Sequence, residues 1–339
     1  MKKILPLCLI IVFVLMFAIT GTSCKTTTAA ETAAAETTAA AGKKLRFGYN
    51  NAASSEIFMV CMQGFINYCD ENGIEKVITQ NQKEADVTEQ FENCASLIAQ
   101  GVDAIEFVVL DGKIDLTTVE NARAAGIKVG TPTSSVDAAM FAPNAPDVVI
   151  QGNDYVGAYA EAEYMAKVLG GKGNICILMG PPGVKAAKDR KDAYDAVLVN
   201  YPDIKLLSAM DCGYETQKSF DIVADWLTKY PEIDAMFTLF DPGTFAAMEA
   251  IKEAGRENDN IMLFDFDGIQ RQFEAIAKNQ LQATVWQNFT NMSYLCTQNL
   301  HRLLTWPTAQ RVHAQVEFIV ITRDNLLDYL PEYKELWVD

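Results

Sequence analysis

The strongest constraint on the fold is a rhythm that begins near residue 45, in which short apolar or β-branched runs alternate with amphipathic segments. Within residues 57–71, for example, Phe58, Cys61 and Phe65 recur at helical spacing. Several amphipathic segments stop at a glycine, such as Gly101 or Gly126, which commonly lies just past a helix end. Regular alternation of strands and helices favours parallel sheets covered by helices on both faces. The sequence therefore predicts an α/β protein.

A segment rich in Pro, Ala and Asp between residues 131 and 147 divides this rhythm into two halves, each near the size of one small doubly wound domain. The predicted strands are residues 45–49, 76–79, 103–110, 127–130, 148–151, 174–179, 205–209, 235–239, 261–266, 283–286 and 316–321. The predicted helices are residues 57–71, 87–100, 116–125, 155–169, 184–199, 216–229, 245–254, 270–278 and 291–304. The predicted fold class is thus α/β with two doubly wound parallel-sheet lobes.

Charge and hydrophobicity narrow the function classes. The chain has 339 residues, half of them hydrophobic, which is enough apolar material for two lobes. Its formal net charge is -16, and this acidity disfavours nucleic acid binding, which needs a basic face.

Six of the eight cysteines lie in the predicted folded part, and none has the close paired spacing of a metal site. Several fall on apolar faces, so we expect buried free thiols, while a disulfide formed after export stays open. These cysteines are Cys61, Cys69, Cys94, Cys176, Cys212 and Cys296.

The first 44 residues are predicted to lie outside the fold. Lys2 and Lys3 precede an apolar run over residues 4–19, and small residues then lead to Cys24, which predicts a secretory signal in residues 1–24. The signal resembles the lipobox of bacterial lipoproteins, which implies acylation of Cys24, although Gly21 departs from the usual lipobox residue. A plain signal peptide and a single membrane anchor are the alternatives, and the apolar run is short of the about 20 residues of a spanning helix. Residues 25–44 are mostly Thr, Ala and Glu, which predicts a flexible tether.

Polar and aromatic side chains follow the predicted strands in both halves. Ligands of open α/β sheets bind beyond the carboxyl ends of the strands, so we expect a site in the cleft between the lobes. Carboxylates, a guanidinium and an amide can hydrogen-bond sugar or polyol hydroxyls, and aromatic rings can cover their C–H faces. The candidate ligand-binding residues are Ser55, Phe58, Asp111, Arg190, Tyr214, Phe240, Asp241, Asp267 and Gln287.

Each candidate has a purely structural alternative. Asp267 before Gly268 is also a common turn or helix cap, and Asp241 before Pro242 is a possible helix N-cap. Arg190 could form a surface ion pair that contributes little, and the aromatic residues could be core. The recurrence of polar or aromatic residues after most of the predicted strands is what favours a ligand-binding site over these structural roles.

The sequence resembles the ribose-binding-protein-like, or type I, periplasmic solute-binding proteins from residue 45 to about residue 330. The residues that carry this resemblance lie at 100–103, 124–127, 152–154, 190–194 and 266–268, and at Ala283, Thr284 and Gln287. The resemblance implies a monomeric, extracytoplasmic lipoprotein without cofactor or metal that binds a sugar or polyol and delivers it to an ABC permease in the membrane.

The resemblance also implies roles and boundaries. Asp111 would bind sugar hydroxyls from the first lobe, Arg190 a ring oxygen or hydroxyl, and Asp267 would accept from the second lobe. Gln287 would touch the ligand near the hinge, with Phe58 and Tyr214 sandwiching the sugar. Residues 45–152 with 288–321 would form the N-terminal lobe, and residues 153–287 with 322–339 the C-terminal lobe. The three crossings would fall near Gly152, Gln287 and Thr322.

Two departures from the family pattern bear on the solute. An Asn-Pro-Phe-Phe-like run reads Ser55, Glu56, Ile57, Phe58 here, and Phe240 replaces the asparagine expected beside Asp241. The site is therefore expected to be less polar than a ribose site, which suits a deoxy sugar, a polyol or another small oxygenated solute.

Other function classes fit less well. A sensory receptor that signals to a membrane kinase or chemoreceptor would have the same fold and site, so it stays an alternative. An enzyme is disfavoured because His301 and His313 lie in no metal pattern, and Gly-x-Ser-x-Gly and P-loop signatures are absent from the sequence. A sugar-responsive repressor is disfavoured by the export signal and the lack of a basic helix-turn-helix segment.

Overall fold

The structure is a computed structural model, and it describes residues 44–83, 86–133 and 145–337. The predicted signal, the predicted acylation site Cys24 and all of the predicted tether except Lys44 lie outside the described residues. The described strands are β1 Arg46–Asn51, β2 Glu75–Gln80, β3 Ala104–Phe107, β4 Lys128–Thr133, β5 Val148–Gln151, β6 Lys172–Met179, β7 Asp203–Asp211, β8 Ala235–Thr238, β9 Met262–Asp267, β10 Ala283–Trp286, β11 Val312–Gln315 and β12 Ile319–Thr322. The described α-helices are α1 Glu56–Glu71, α2 Val87–Ala99, α3 Gly112–Ala124, α4 Asp154–Val168, α5 Lys185–Leu198, α6 Thr216–Lys229, α7 Asp241–Glu253, α8 Gln270–Ala277, α9 Phe289–Thr305 and α10 Leu326–Tyr329.

The strands form two six-stranded sheets. The first has the order β11-β5-β4-β3-β1-β2 and the second the order β12-β10-β9-β8-β6-β7. Neighbouring strands are parallel except β10 and β12, which are antiparallel. We call the first sheet with α1, α2, α3 and α9 the first lobe, and the second sheet with α4–α8 and α10 the second lobe. This arrangement confirms the predicted α/β fold with two doubly wound lobes.

Buried central strands explain why the strand signals were apolar runs rather than alternating patterns. Every residue of β3 and of β8 is buried, as expected for parallel sheets covered on both faces. In the second lobe, the rings of Tyr194 on α5 and Phe237 on β8 stack with centroids 4.0 Å apart. In the first lobe, α1 and α9 approach closely at Gly64, where a Cβ atom would lie 2.0 Å from the Thr290 carbonyl oxygen.

The prediction for the last strand was wrong. Residues 316–321 were predicted as one strand, but β11 and β12 lie in different sheets, with residues 316–318 between them. Phe318 occupies this gap, and a Cβ atom on Gly152 would lie 1.6 Å from its ring, so only glycine fits there. The chain therefore crosses at residues 316–318 and not near Thr322. The sequence signal was weak because β11 is an edge strand that alternates half-buried and exposed residues.

All three crossings join the carboxyl edges of the two sheets. The chain leaves the first sheet after Gln151 and enters α4 of the second lobe at Asp154. It returns after Trp286, the last residue of β10, into α9, which packs on the first sheet. The third crossing follows β11, and β12 begins with Ile319 opposite Trp286. Side chains at the carboxyl ends of both sheets are thus brought toward one cleft.

The six cysteines of the described residues are free and buried, as predicted from their apolar surroundings. No group of three or more potential metal-ligating side chains is found within the described ranges. In the same part of the chain, none of the helices has the length and apolar character needed to span a bilayer.

Candidate functional site

Arg190 is the centre of a buried polar group at the carboxyl edge of the second sheet. Its side chain, on α5, is only 4 % exposed, and its Nε donates to Asp154 Oδ1 over 2.7 Å. Its Nη1 donates to the carbonyl oxygen of Leu239, just beyond β8. The guanidinium carbon lies 3.6 Å from the centroid of the Phe266 ring, a cation–π contact. The surface ion pair that the sequence left open is therefore excluded, because these contacts fix the guanidinium inside the lobe.

Asp267 joins Arg190 to two further predicted site residues. Its Oδ1 lies 3.6 Å from Arg190 Nη1 and accepts a 2.6 Å hydrogen bond from Gln287 Nε2. Its Oδ2 accepts from the backbone N–H of Asp241 over 3.2 Å. Asp267 and Gln287 are 7 % and 1 % exposed. The structure thus brings Arg190, Asp241, Asp267 and Gln287 together, although they are far apart in the sequence.

The backbone at Asp267 is strained. Asp267 has φ +99°, a region that non-glycine residues rarely adopt, and Gly268 follows with φ +67°. A Cβ atom on Gly268 would lie 2.4 Å from Trp286 Cα, so glycine is required where the chain turns against β10. Residues in such conformations cost about 1–3 kcal/mol each and cluster at functional sites. The turn aims the Asp267 carboxylate at Gln287 and Arg190.

Asp241 lies at the first position of α7, so Phe240 and not Asp241 occupies the N-cap position. The Asp241 carboxylate accepts a hydrogen bond from Arg271 on α8. Burial, together with the Asp267 charge, raises the pKa of Asp241 to about 7. Burial also raises the pKa of Asp267, although the Arg190 charge opposes that shift.

Charge in this group is nearly balanced. Asp154, Asp241 and Asp267 face Arg190 and Arg271, so three carboxyl groups share two guanidinium groups. The group has no spare positive charge to offer an anionic ligand. Its remaining polar atoms are suited to neutral hydroxyl groups, which both donate and accept.

Tyr214 and Phe240 form an aromatic wall next to this group. Their rings meet edge to face with centroids 5.3 Å apart, and Tyr214 is 37 % exposed while Phe240 is 7 % exposed. Gly180 packs against the Tyr214 ring, where a Cβ atom would come within 2.6 Å. An apolar face beside charged hydrogen-bonding groups suits a solute with C–H and O–H faces.

The first-lobe candidates lie apart from the second-lobe group. Ser55 precedes α1 without capping it by its side chain, and Phe58 in the first turn is partly buried against the core. Asp111 is the exposed N-cap of α3, and its Oδ1 accepts from the backbone N–H groups of Lys113 and Ile114 over 3.0 and 2.9 Å. Helix capping thus already uses part of the carboxylate expected to bind hydroxyls, and the ligand-binding role of Asp111 stays a prediction.

Sequence reasoning missed several residues of the site. Asp154, Phe266 and Arg271 complete the second-lobe group, and Asp154 could have been found because it follows β5 as the other candidates follow their strands. In the first lobe, Asn51 Oδ1 and Gln90 Oε1 are buried and find no hydrogen-bond partner among the described residues. Asn51 ends β1, and Gln90 Nε2 donates to the Val108 carbonyl oxygen just beyond β3.

The sequence model of the periplasmic binding protein domain matches residues 47–306, well over half of the chain. The chain belongs to this family. Membership confirms the resemblance to type I periplasmic binding proteins, and it confirms that the chain is a binding protein and not an enzyme.

Two relatives and one solved structure show how similar the chain is to other periplasmic binding proteins. The xylitol-binding protein of Mycolicibacterium smegmatis is 34 % identical over 67 % of this chain, and the match spans 63 % of that protein. The ribose import binding protein of Bacillus subtilis is 25 % identical over 79 % of this chain and 85 % of its own length. A periplasmic solute-binding protein of an ABC transporter from Actinobacillus succinogenes, crystallised with D-allose, has a TM-score of 0.77 at 24 % identity. That likeness covers 85 % of this chain and all of the other, and it shows a shared fold.

Proposed function

We propose that this protein captures a sugar or polyol in the cleft between its lobes and delivers it to an ABC importer. The observation that carries the proposal is the buried group of Arg190, Asp267 and Gln287 at the carboxyl edge of the second sheet. Relatives whose names state xylitol and ribose as their solutes support the same class.

Each part of the site has a chemical role in this proposal. Asp267 accepts a hydroxyl hydrogen, while Arg190 and Gln287 hold its carboxylate in place and donate to solute oxygens. Tyr214 and Phe240 cover the C–H face of the solute and exclude water from these bonds. Asn51 and Gln90, with Ser55, Phe58 and Asp111, receive the solute from the first lobe. The unpaired oxygens of Asn51 and Gln90 are suited to accept hydroxyl hydrogens.

Binding would couple to movement of the lobes. A solute that contacts both carboxyl edges stabilises the closed arrangement by its differential affinity for that state. In this proposal the lobes keep the boundaries predicted from the sequence, except that the third crossing is taken at residues 316–318, between β11 and β12. The bodies that move are then residues 45–152 with 288–315 and residues 153–287 with 319–339.

The same proposal includes an anchored monomer outside the cytoplasm. Signal cleavage before Cys24 and acylation of its thiol would leave residues 25–44 as a tether to the membrane. Mass spectrometry of the mature N-terminus tests this. A diacylated or triacylated Cys24 supports the anchor, and an unmodified N-terminus at another residue contradicts it.

A thermal-shift screen with xylitol, ribose, D-allose and myo-inositol tests the binding function. A solute that binds only the folded protein raises Tm, by an amount equivalent to about 2.7 kcal/mol at 100 times its Kd. Asp267→Asn should weaken the shift strongly, because charged hydrogen bonds contribute about 1.5–3 kcal/mol, or roughly 10- to 100-fold in affinity. Asparagine tolerates φ > 0, so the fold should persist.

Asp195→Asn is the matched control, since Asp195 lies on an exposed face of α5 and pairs with Lys191 there. Its Tm shift should equal that of the wild-type protein. The absence of a shift with every solute tested would contradict the sugar or polyol proposal while leaving the family and fold intact.

A further inference from the structure

A hydrogen bond joins the two lobes at the first residue of α1. Glu56 begins α1 in the first lobe, and its Oε1 accepts from the backbone N–H of Gln270 over 3.1 Å. Gln270 begins α8 in the second lobe. Glu56 directly follows the candidate Ser55, yet it belongs to none of the hydrogen-bonded groups described above.

The contact is a favourable electrostatic one. The first N–H groups of a helix have no partner within the helix and carry partial positive charge, so a carboxylate there is stabilising. Glu56 supplies that carboxylate from the opposite lobe. Within α8 itself, the side chain at N3 is Gln272, and its Oε1 accepts from the Ile269 N–H, so it does not cover the N–H of Gln270.

Neighbouring charges do not replace Glu56 in this role. Asp241 is the nearby acid of the second lobe, and the Glu56 charge adds to the rise of its pKa. Asp241 is neutralised by Arg271, which follows Gln270 in the first turn of α8. The repulsion between the two acids is thereby reduced, and the helix N-terminus remains the feature that attracts Glu56.

We propose that Glu56 is a positioning residue that holds the second lobe over the first and so raises affinity for any solute bound in the cleft. The inference rests on the proposed solute-binding function. Because Glu56 acts on closure, its removal should weaken binding of different solutes by the same factor, about two- to fivefold for an exposed carboxylate at a helix N-terminus. Selectivity among solutes should not change.

Both sides of the contact can be removed separately. Glu56→Ala removes the acceptor. Gln270→Pro removes the backbone donor together with the side chain that donates to Glu274, and proline is well tolerated at the first position of a helix. Ile269 before it has φ -111° and ψ 170°, a conformation compatible with a following proline. Gln270→Ala is the matched control, since it changes the side chain and keeps the N–H group.

The readouts are the Kd for xylitol and for ribose by titration calorimetry and the radius of gyration of the ligand-free protein by X-ray scattering. Glu56→Ala and Gln270→Pro should each raise both Kd values by the same factor and enlarge the ligand-free particle, and Glu56→Ala should add little in the Gln270→Pro background. Gln270→Ala should match the wild-type protein.

The outcomes separate the two proposals. Wild-type protein that binds none of the solutes contradicts the proposed function, and the ligand-free scattering still tests the positioning role. An unchanged radius of gyration and unchanged Kd values in Glu56→Ala overturn the positioning role even where the solutes bind. A change in the xylitol-to-ribose affinity ratio would also overturn it, because Glu56 would then touch the solute.

Discussion

The two carboxyl edges that face the cleft differ in how their polar groups are satisfied. In the second lobe, Arg190 donates to Asp154 and pairs with Asp267, and Gln287 donates to Asp267. In the first lobe, Asn51 and Gln90 are neutral amides whose buried oxygens lack a protein partner within the described residues. The polar groups of the second edge are therefore already paired before a solute arrives, whereas the first edge has oxygens that lack a partner among the described residues and that a solute or water can satisfy.

Each lobe also buries a glutamate in its core. Glu106 in the first lobe is fully buried, and it is hydrogen-bonded by the hydroxyls of Ser293 and Thr297 and by the Cys296 thiol. Glu161 in the second lobe accepts from Tyr194 and from the Asp265 backbone. Burial raises the pKa of Glu161 well above its usual value and the Asp265 charge adds to that rise, while the Arg190 charge opposes it. Both core glutamates are thus bonded by hydroxyl groups, and the contrast between the lobes lies at their carboxyl edges, where Arg190 pairs with two carboxylates in the second lobe.

The largest effect should come from breaking the second edge. Arg190→Ala leaves Asp154 and Asp267 buried without their cation, and removal of one partner from a buried pair costs about 3–5 kcal/mol. Urea unfolding followed by circular dichroism measures this loss, which should accompany abolished solute binding. Arg46→Ala in the first lobe is the control. Arg46 pairs with Glu75 and donates to the Gln100 carbonyl oxygen at the surface, and loss of such an ion pair should cost the variant about 0–1 kcal/mol. Equal losses in the two variants would show that the lobes are not organised differently.

A smaller effect is expected from the first-lobe core and depends on pH. Burial raises the pKa of Glu106 to about 8, so the folded protein keeps this proton while the unfolded chain releases it at lower pH. The stability contributed by protonated Glu106 is complete below its unfolded pKa of about 4.3 and is lost as pH rises to about 8.

Glu106→Gln should therefore flatten the decline in stability between pH 5 and pH 8, because glutamine keeps the polar contacts and cannot ionise. Denaturant midpoints at both pH values provide the measurement. A variant that loses as much stability as the wild-type protein between pH 5 and pH 8 would show that Glu106 is not the group responsible.

The smallest expected loss of stability comes from removing the Asp111 side chain. This variant tests whether Asp111 only caps α3 or also binds solute. Loss of an N-cap costs about 1 kcal/mol, so Asp111→Ala should destabilise the protein by about that amount. Asp86→Ala is the matched control, because Asp86 caps α2 by accepting from the Glu89 N–H over 2.9 Å. If Asp111 also binds solute, only Asp111→Ala should raise the solute Kd. Equal Kd values in the two variants would leave Asp111 with capping alone.

Much of the fold was predictable because the spacing of apolar residues along the sequence indicates which faces of helices and strands are buried. Strands such as β5 and β10 are apolar runs buried on both faces, and their predicted bounds agree with the structure. β11 escaped detection because an edge strand with exposed His313 and Gln315 resembles a loop. The site was predictable where a polar residue ends a strand, as at Asp267. The candidate site was not predictable at residues whose role depends on contacts between distant parts of the chain. Arg190, for example, is fixed by Asp154, which lies 36 positions away.

The most direct test of the account is a crystal structure of the protein with the solute that gives the largest thermal shift. We expect solute oxygens within hydrogen-bond distance of Asp267 or Arg190 in the second lobe and of Asn51 or Gln90 in the first, with the Tyr214 ring against the solute. A solute bound to one lobe alone, or bound outside the cleft, would contradict it.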